Sequence, residues 1–95
     1  MAIVVQKFGG SSVADYTCMK RVREQVTQRL EQGYKVVVVL SAMSGETDRL
    51  LSLARNFSND PDPAESDVLL ATGEQTSVSL FTMMLMDSGI RARSL

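Results

Sequence analysis

The chain has no histidine, no tryptophan and one cysteine, Cys18. Without a second cysteine no internal disulfide forms, so no disulfide framework substitutes for a core. A single cysteine and no histidine also exclude a zinc site of the usual ligands. No imidazole is available to activate a thiol, so Cys18, in mid-helix, reads as a small core residue. Aromatic residues make up only 5%, which leaves an aliphatic and methionine-rich core. Neither sign of charge is in excess: 10 Lys+Arg stand against 11 Asp+Glu, a formal net charge of −1. A nucleic-acid binder would show a basic stripe, and an interaction tail would show a block of like charge. The apolar run Val36 to Leu40 is far shorter than the roughly 20 residues of a membrane span. A basic-then-apolar secretory leader is lacking. What is present, 95 residues of which 44% are hydrophobic, suits one small folded domain rather than a disordered segment. These features together predict a reduced, cytoplasmic α/β chain.

Ala2 to Phe8 is short and rich in β-branched residues, and Gly9-Gly10 stops it, which predicts a strand. Ser12 and Asp15 form a capping pair that predicts a helix beginning near Val13. Met19, Val22, Val26 and Leu30 recur on one helical face, and Gly33 is placed to end that helix. Val36 to Leu40 has the pattern of a strand buried on both faces, as in parallel sheets. A small-residue loop, Ser41 to Glu46, precedes a second helix with Leu50, Ala54 and Phe57 on one side. Residues 59–63 break the chain. Asp62 then serves as N-cap, with Pro63 in the first turn and Glu65 at the third position. Helical sequence continues to Ser88, where Gly89 ends it, and Ile90 to Leu95 alternates like the start of a strand.

A strand, a helix and a strand so connected form a right-handed unit with parallel strands. The loops Gly9–Ser12 and Ser41–Glu46 then emerge at one sheet edge, where open α/β folds bind ligands. If the second helix runs back down and another parallel strand begins near Ile90, residues 63–89 must rise and descend. The expected break is at Thr72-Gly73, with Thr72 and Gln75 as a new capping box. It lifts Glu74 to the same edge.

Lys7-Phe8-Gly9-Gly10-Ser11-Ser12 offers a phosphate close backbone amides, a helix start and a full positive charge. It is not a Walker A loop, because the lysine precedes the glycines. The alternative is a tight strand–helix turn with a lysine reaching off the strand end. In Ser41 to Thr47, the hydroxyls of Ser41 and Thr47 suit carboxylate or phosphate oxygens. Plain helix capping by Ser44 or Thr47 suits the same residues. Glu74 lies among Leu69, Leu70, Ala71, Val78 and Leu80, where a carboxylate is unusual unless paired. It suits a substrate ammonium, or else a first-turn residue serving the helix dipole. Met83, Met84 and Met86 read as plastic packing surface. Lys20, Arg21, Arg23, Glu24, Arg29 and Glu31 read as a solvated helix face.

In order, Lys7 to Val13, then Val36 to Leu40 followed by Ser41-Ala42-Met43-Ser44-Gly45-Glu46-Thr47-Asp48, then Leu70 to Gln75 closely resemble the aspartokinases, of the amino-acid kinase family. The K-F-G-G-[ST]-S-V opening and the S-A-M-S-G-x-T loop are specific to that enzyme. Acetylglutamate and uridylate kinases open with other variants. The resemblance spans Ala2 to about Leu95. It implies the N-terminal part of the amino-acid kinase fold, a partial three-layer αβα sandwich with a mainly parallel sheet. It also implies phosphoryl transfer from ATP with Mg²⁺ to the side-chain carboxylate of L-aspartate, giving 4-phospho-L-aspartate. Lys7, Phe8, Gly9, Gly10, Ser11 and Ser41 then match ATP- and phosphate-binding positions. Lys7 and Ser41 match positions at the transferring group. Thr47 and Glu74 match aspartate-binding positions, Glu74 through the ammonium. Such chemistry asks for positioning and charge neutralisation, not for a histidine.

Thr76-Ser77-Val78-Ser79 is more polar than the resemblance leads one to expect. An aspartokinase also continues through a nucleotide-binding half and regulatory ACT domains. Residues 1–95 are therefore expected to be the N-terminal portion of a catalytic domain, inactive alone, from a homo-oligomeric parent with no nucleic-acid or membrane partner. The rival readings are a non-catalytic α/β piece that associates through an open sheet edge, and a sibling kinase acting on another carboxylate.

Overall fold

The computed structural model describes residues 2–95. Strand β1 (Ile3–Phe8) and strand β2 (Lys35–Leu40) form a two-stranded parallel sheet, in register from Ile3 opposite Lys35 to Phe8 opposite Leu40. Helix α1 (Tyr16–Glu31) makes the crossover between them. Helices α2 (Glu46–Phe57) and α3 (Pro63–Asp87) follow. The fold is α/β, as expected.

The first turn departs from expectation. Gly10–Val13 forms a single 3-10 turn, and the α-helix starts only at Tyr16. Its N-cap is Asp15, whose carboxylate accepts from the Cys18 amide at 2.9 Å. Ser12 does not cap it. Aspartate in extended backbone satisfies an orphan amide of the first turn, and the preceding 3-10 turn leaves Ser12 too early to do so. Met19, Val22 and Val26 are buried on one face of α1 with Leu30 partly buried. Gly33 follows the helix at φ +90°, the left-handed residue that ends it.

The core lies on one side of the sheet. Val36, Val38, Leu40 and Phe8 face α1 and the second half of α3, against Val22, Val26, Phe81 and Leu85. Ile3, Val5, Val37 and Val39 point the other way and are exposed. β2 is therefore covered on one face rather than two, and this chain supplies two of the three expected layers.

Three further expectations fail together. α2 packs chiefly on α3. Leu50 is buried there and Ala54 half-buried, while Phe57 is 90% exposed. α3 is one continuous helix with no break at Thr72-Gly73. The Thr72 hydroxyl donates back to the Leu69 carbonyl at 2.6 Å, and that of Thr76 to the Thr72 carbonyl at 2.8 Å, so neither begins a helix. The first half of α3 thus pairs with α2 beyond the loop edge. Its second half descends beside α1, where Arg23 donates to the Ser88 hydroxyl at 3.2 Å. This gives an elongated body of 50 × 26 × 19 Å. The ends of α3 are as read: Asp62 caps it by accepting from the Glu65 amide at 3.0 Å, with Pro63 in the first turn and Gly89 beyond the last. Residues 90–95 form no strand; β2 ends the sheet among the described residues, and Ile90 and Ala92 pack against the core as irregular chain.

Candidate functional site

Because β1 and β2 are parallel, the segments after Phe8 and Leu40 leave the same edge. The ladder continues one step past the strands, where the Ser41 amide donates to the Phe8 carbonyl at 3.1 Å. Gly9 and Ser41 are so close that a Cβ on Gly9 would sit 2.9 Å from Ser41 Oγ. The second loop is stitched to the first again where the Ser44 amide donates to the Ala14 carbonyl at 3.2 Å.

Lys7, in register with Val39, lies on the exposed face of the sheet, one residue before the loop. Gly10 takes φ +56° with open space where a side chain would stand. It opens the 3-10 turn, whose first amides have no partner within the turn. Ser11 and Ser12 are exposed there. The Asp15 carboxylate already occupies the start of α1. The Cys18 amide that it accepts from holds its carboxyl below the usual carboxylate range. The positive charge at this corner therefore comes from the 3-10 turn and Lys7, not from the dipole of α1.

In the second loop, α2 is capped by Gly45 at φ +79° with no side-chain cap. Ser44 and Thr47 do not perform the plain capping that the sequence left open. Thr47 is exposed in the first turn of α2. Beside it Glu46 is gripped by both arms of Arg49, at 2.8 and 2.9 Å. That fork keeps the Glu46 carboxyl below its ordinary range and raises Arg49.

Glu74 stands in the interior of α3, not in a first turn, so service to a helix dipole is also ruled out. No ion pair engages it among the described residues. It lines an open groove of about 890 Å³ that is also lined by β2 residues Val36 to Leu40 and by residues 90–95. Its neighbour Gly73 is buried against Ala42, Leu50 and Glu46, which brings α3 up to the second loop. The structure thus gathers Lys7, Phe8, Gly9, Gly10, Ser11 and Ser41 at one corner. Thr47 and Glu74 are joined to that corner through the loop 41–45. No group of three His, Cys, Asp or Glu able to hold a metal ion occurs among the described residues. No helix described is long and apolar enough to cross a membrane.

The sequence reading missed the packing role of Gly73, taken there as a helix break. It also missed Gln6, whose Oε1 is buried without a partner. Its signal was a polar residue in a core-facing position of β1.

The chain belongs to the amino acid kinase family, whose profile matches residues 2–95. Among similar proteins, the aspartate kinase of Pseudomonas putida is 49% identical over 94 residues, covering 99% of this chain and 23% of that protein. The aspartokinase of Geobacillus stearothermophilus is 46% identical over 95 residues, covering all of this chain and 23% of that protein. The crystal structure of the aspartate kinase from Synechocystis superposes with a TM-score of 0.92 at 40% identity, covering 99% of this chain and 16% of that one. The chain spans about a quarter of the length of the curated relatives it matches.

Proposed function

We propose that residues 1–95 are the acceptor- and phosphate-binding portion of an aspartokinase catalytic domain. The observation that carries this reading is the position of Glu74: an exposed carboxylate in mid-helix, in no ion pair among the described residues, near the loop edge of a parallel sheet. In this reading Glu74 holds the ammonium of L-aspartate and Thr47 donates to one of its carboxylates. The side-chain carboxylate oxygen attacks the terminal phosphorus of ATP, and the bond to the bridging oxygen breaks to release ADP. Lys7 and the amides of Gly9, Gly10 and Ser11 neutralise the phosphates, for which the open space at Gly10 leaves room. The Ser41 hydroxyl sits beside Gly9, where it meets the transferring group. Mg²⁺, when bound, supplies charge neutralisation of the phosphates. In such a reaction positioning and fixed charge carry most of the rate.

The test is a chimaera in which this chain replaces the matched 94 residues of the Pseudomonas putida aspartate kinase. Aspartate-dependent ADP formation is expected. A folded but inactive chimaera refutes the reading, and activity on another carboxylate in preference to aspartate favours a sibling kinase.

A further inference from the structure

Gly73 is a poor helix former in the interior of a long helix, and its backbone is helical, so no turn requires it. Crowding does. A Cβ at Gly73 would lie 3.3 Å from the Cβ of Ala42, 3.4 Å from Leu50 Cδ1 and 3.8 Å from the Cβ of Glu46. On the other side of the same loop, a Cβ at Gly9 would lie 2.9 Å from Ser41 Oγ. Ser41 and Ala42 are consecutive. This two-residue stretch is therefore seated between two glycines, one at the end of β1 and one in α3.

Backbone hydrogen bonds tie the loop to Phe8 and Ala14, on the phosphate side. Among the described residues none ties it to α3. Where α3 meets the loop, the contact at Gly73 is steric. Glu74 is the next residue on the same rigid helix.

We propose that Gly73 is a positioning residue that sets the span between the acceptor's ammonium anchor, Glu74, and the loop that carries Ser41. The proposal rests on the aspartokinase reading above. An alanine at 73 must displace Ala42 or move α3 by a few tenths of an ångström, and Ala42 lies between Ser41 and Ser44, whose amides are bonded to Phe8 and Ala14. α3 therefore yields and carries Glu74 outward, while Lys7, Gly9 and Gly10 stay in place.

The test uses steady-state kinetics of the chimaera. Gly73→Ala is expected to raise the KM for aspartate by about tenfold, given how steeply rate and binding depend on placement, with the KM for ATP unchanged. Ala42→Gly in the same chain removes the nearest obstructing atom and is expected to restore the aspartate KM. Ala42→Val crowds the same gap from the loop side. It is expected to reproduce the defect, which keeps the test decisive if Gly73→Ala does not fold. A flat aspartate KM in folded Gly73→Ala or Ala42→Val, an equal rise in both KM values, or no rescue by Ala42→Gly overturns the proposal. An inactive unsubstituted chimaera overturns the parent reading and this proposal with it. Activity in the unsubstituted chimaera with flat kinetics on substitution overturns this proposal alone.

Discussion

Lys7 and Glu74 are both charged and both near the loop edge, yet they make different demands on an experiment. On the proposed reading Lys7 meets the negative charge that spreads in phosphoryl transfer, so Lys7→Ala in the chimaera should lower kcat by about 10²-fold or more. Glu74→Gln keeps size and a hydrogen-bond acceptor but removes the charge. It should weaken aspartate by about 2 kcal/mol, the scale of a hydrogen bond to a charged group, and leave the KM for ATP alone. Unchanged aspartate kinetics in a folded Gln variant would remove Glu74 from the site. Asp15 and Glu46 are a different case, because their work is structural. Both have carboxyl pKa values lowered in the folded chain, Asp15 by the Cys18 amide and Glu46 by Arg49. A lowered carboxyl pKa stabilises the fold above the unfolded value, and that contribution is lost as pH falls through the folded one. Stability should therefore be flat near neutrality and drop below about pH 4. Thermal melts across pH, with Asp15→Asn blunting the acid loss, check this. That Asp15 and not Ser12 caps α1 was not readable, because both residues suit the role and only the 3-10 turn decides between them.

At the scale of elements, the face Met19, Val22 and Val26 was legible from its periodicity because all three residues enter one core. Both ends of α3 were legible from their capping residues, Asp62, Pro63 and Gly89. The reading failed where a residue type has two uses. Gly73 serves as well for close approach as for a break, and only the path of α2, which packs chiefly on α3, distinguishes them. The polar stretch Thr76 to Ser79 sits within the helix because hydroxyls bond back to the previous turn. Thr76 does so at 2.8 Å, and buried Ser77 reaches the Gly73 carbonyl only at 3.4 Å. So long a bond contributes little, and Ser77→Ala should change stability by no more than about 0.5 kcal/mol. A denaturant titration with unaltered slope measures it, and a large loss would mean the hydroxyl has a partner of another kind.

For the whole molecule, the one-sided sheet matters most. Parallel strands are ordinarily covered on both faces, and the run Val36 to Leu40 was read that way. Here Ile3, Val5, Val37 and Val39 are exposed, with no described helix packed over them. The pattern signals what a strand needs, not whether this stretch of chain supplies it. That both loops leave one edge of the sheet was legible because the parallel direction of two strands is enough to define it. The 95-residue chain alone is expected to show no aspartate-dependent ADP formation, whereas the chimaera does, since the relatives it matches are about four times longer. Turnover by the purified chain in a coupled assay would contradict this.

The register of the sheet also has a consequence for the order of folding. Every pair from Ile3–Lys35 to Phe8–Leu40 joins residues 32 apart in sequence. β1 is made first but has no partner until β2 has been synthesised, an interval of several seconds at roughly 5–20 residues per second. α1 forms from local contacts in that interval and shortens the gap that the strands must close. During the wait, the β-branched stretch Ile3-Val4-Val5 is followed at once by Gln6 and Lys7, two polar residues that guard a nascent strand against pairing with the wrong neighbour.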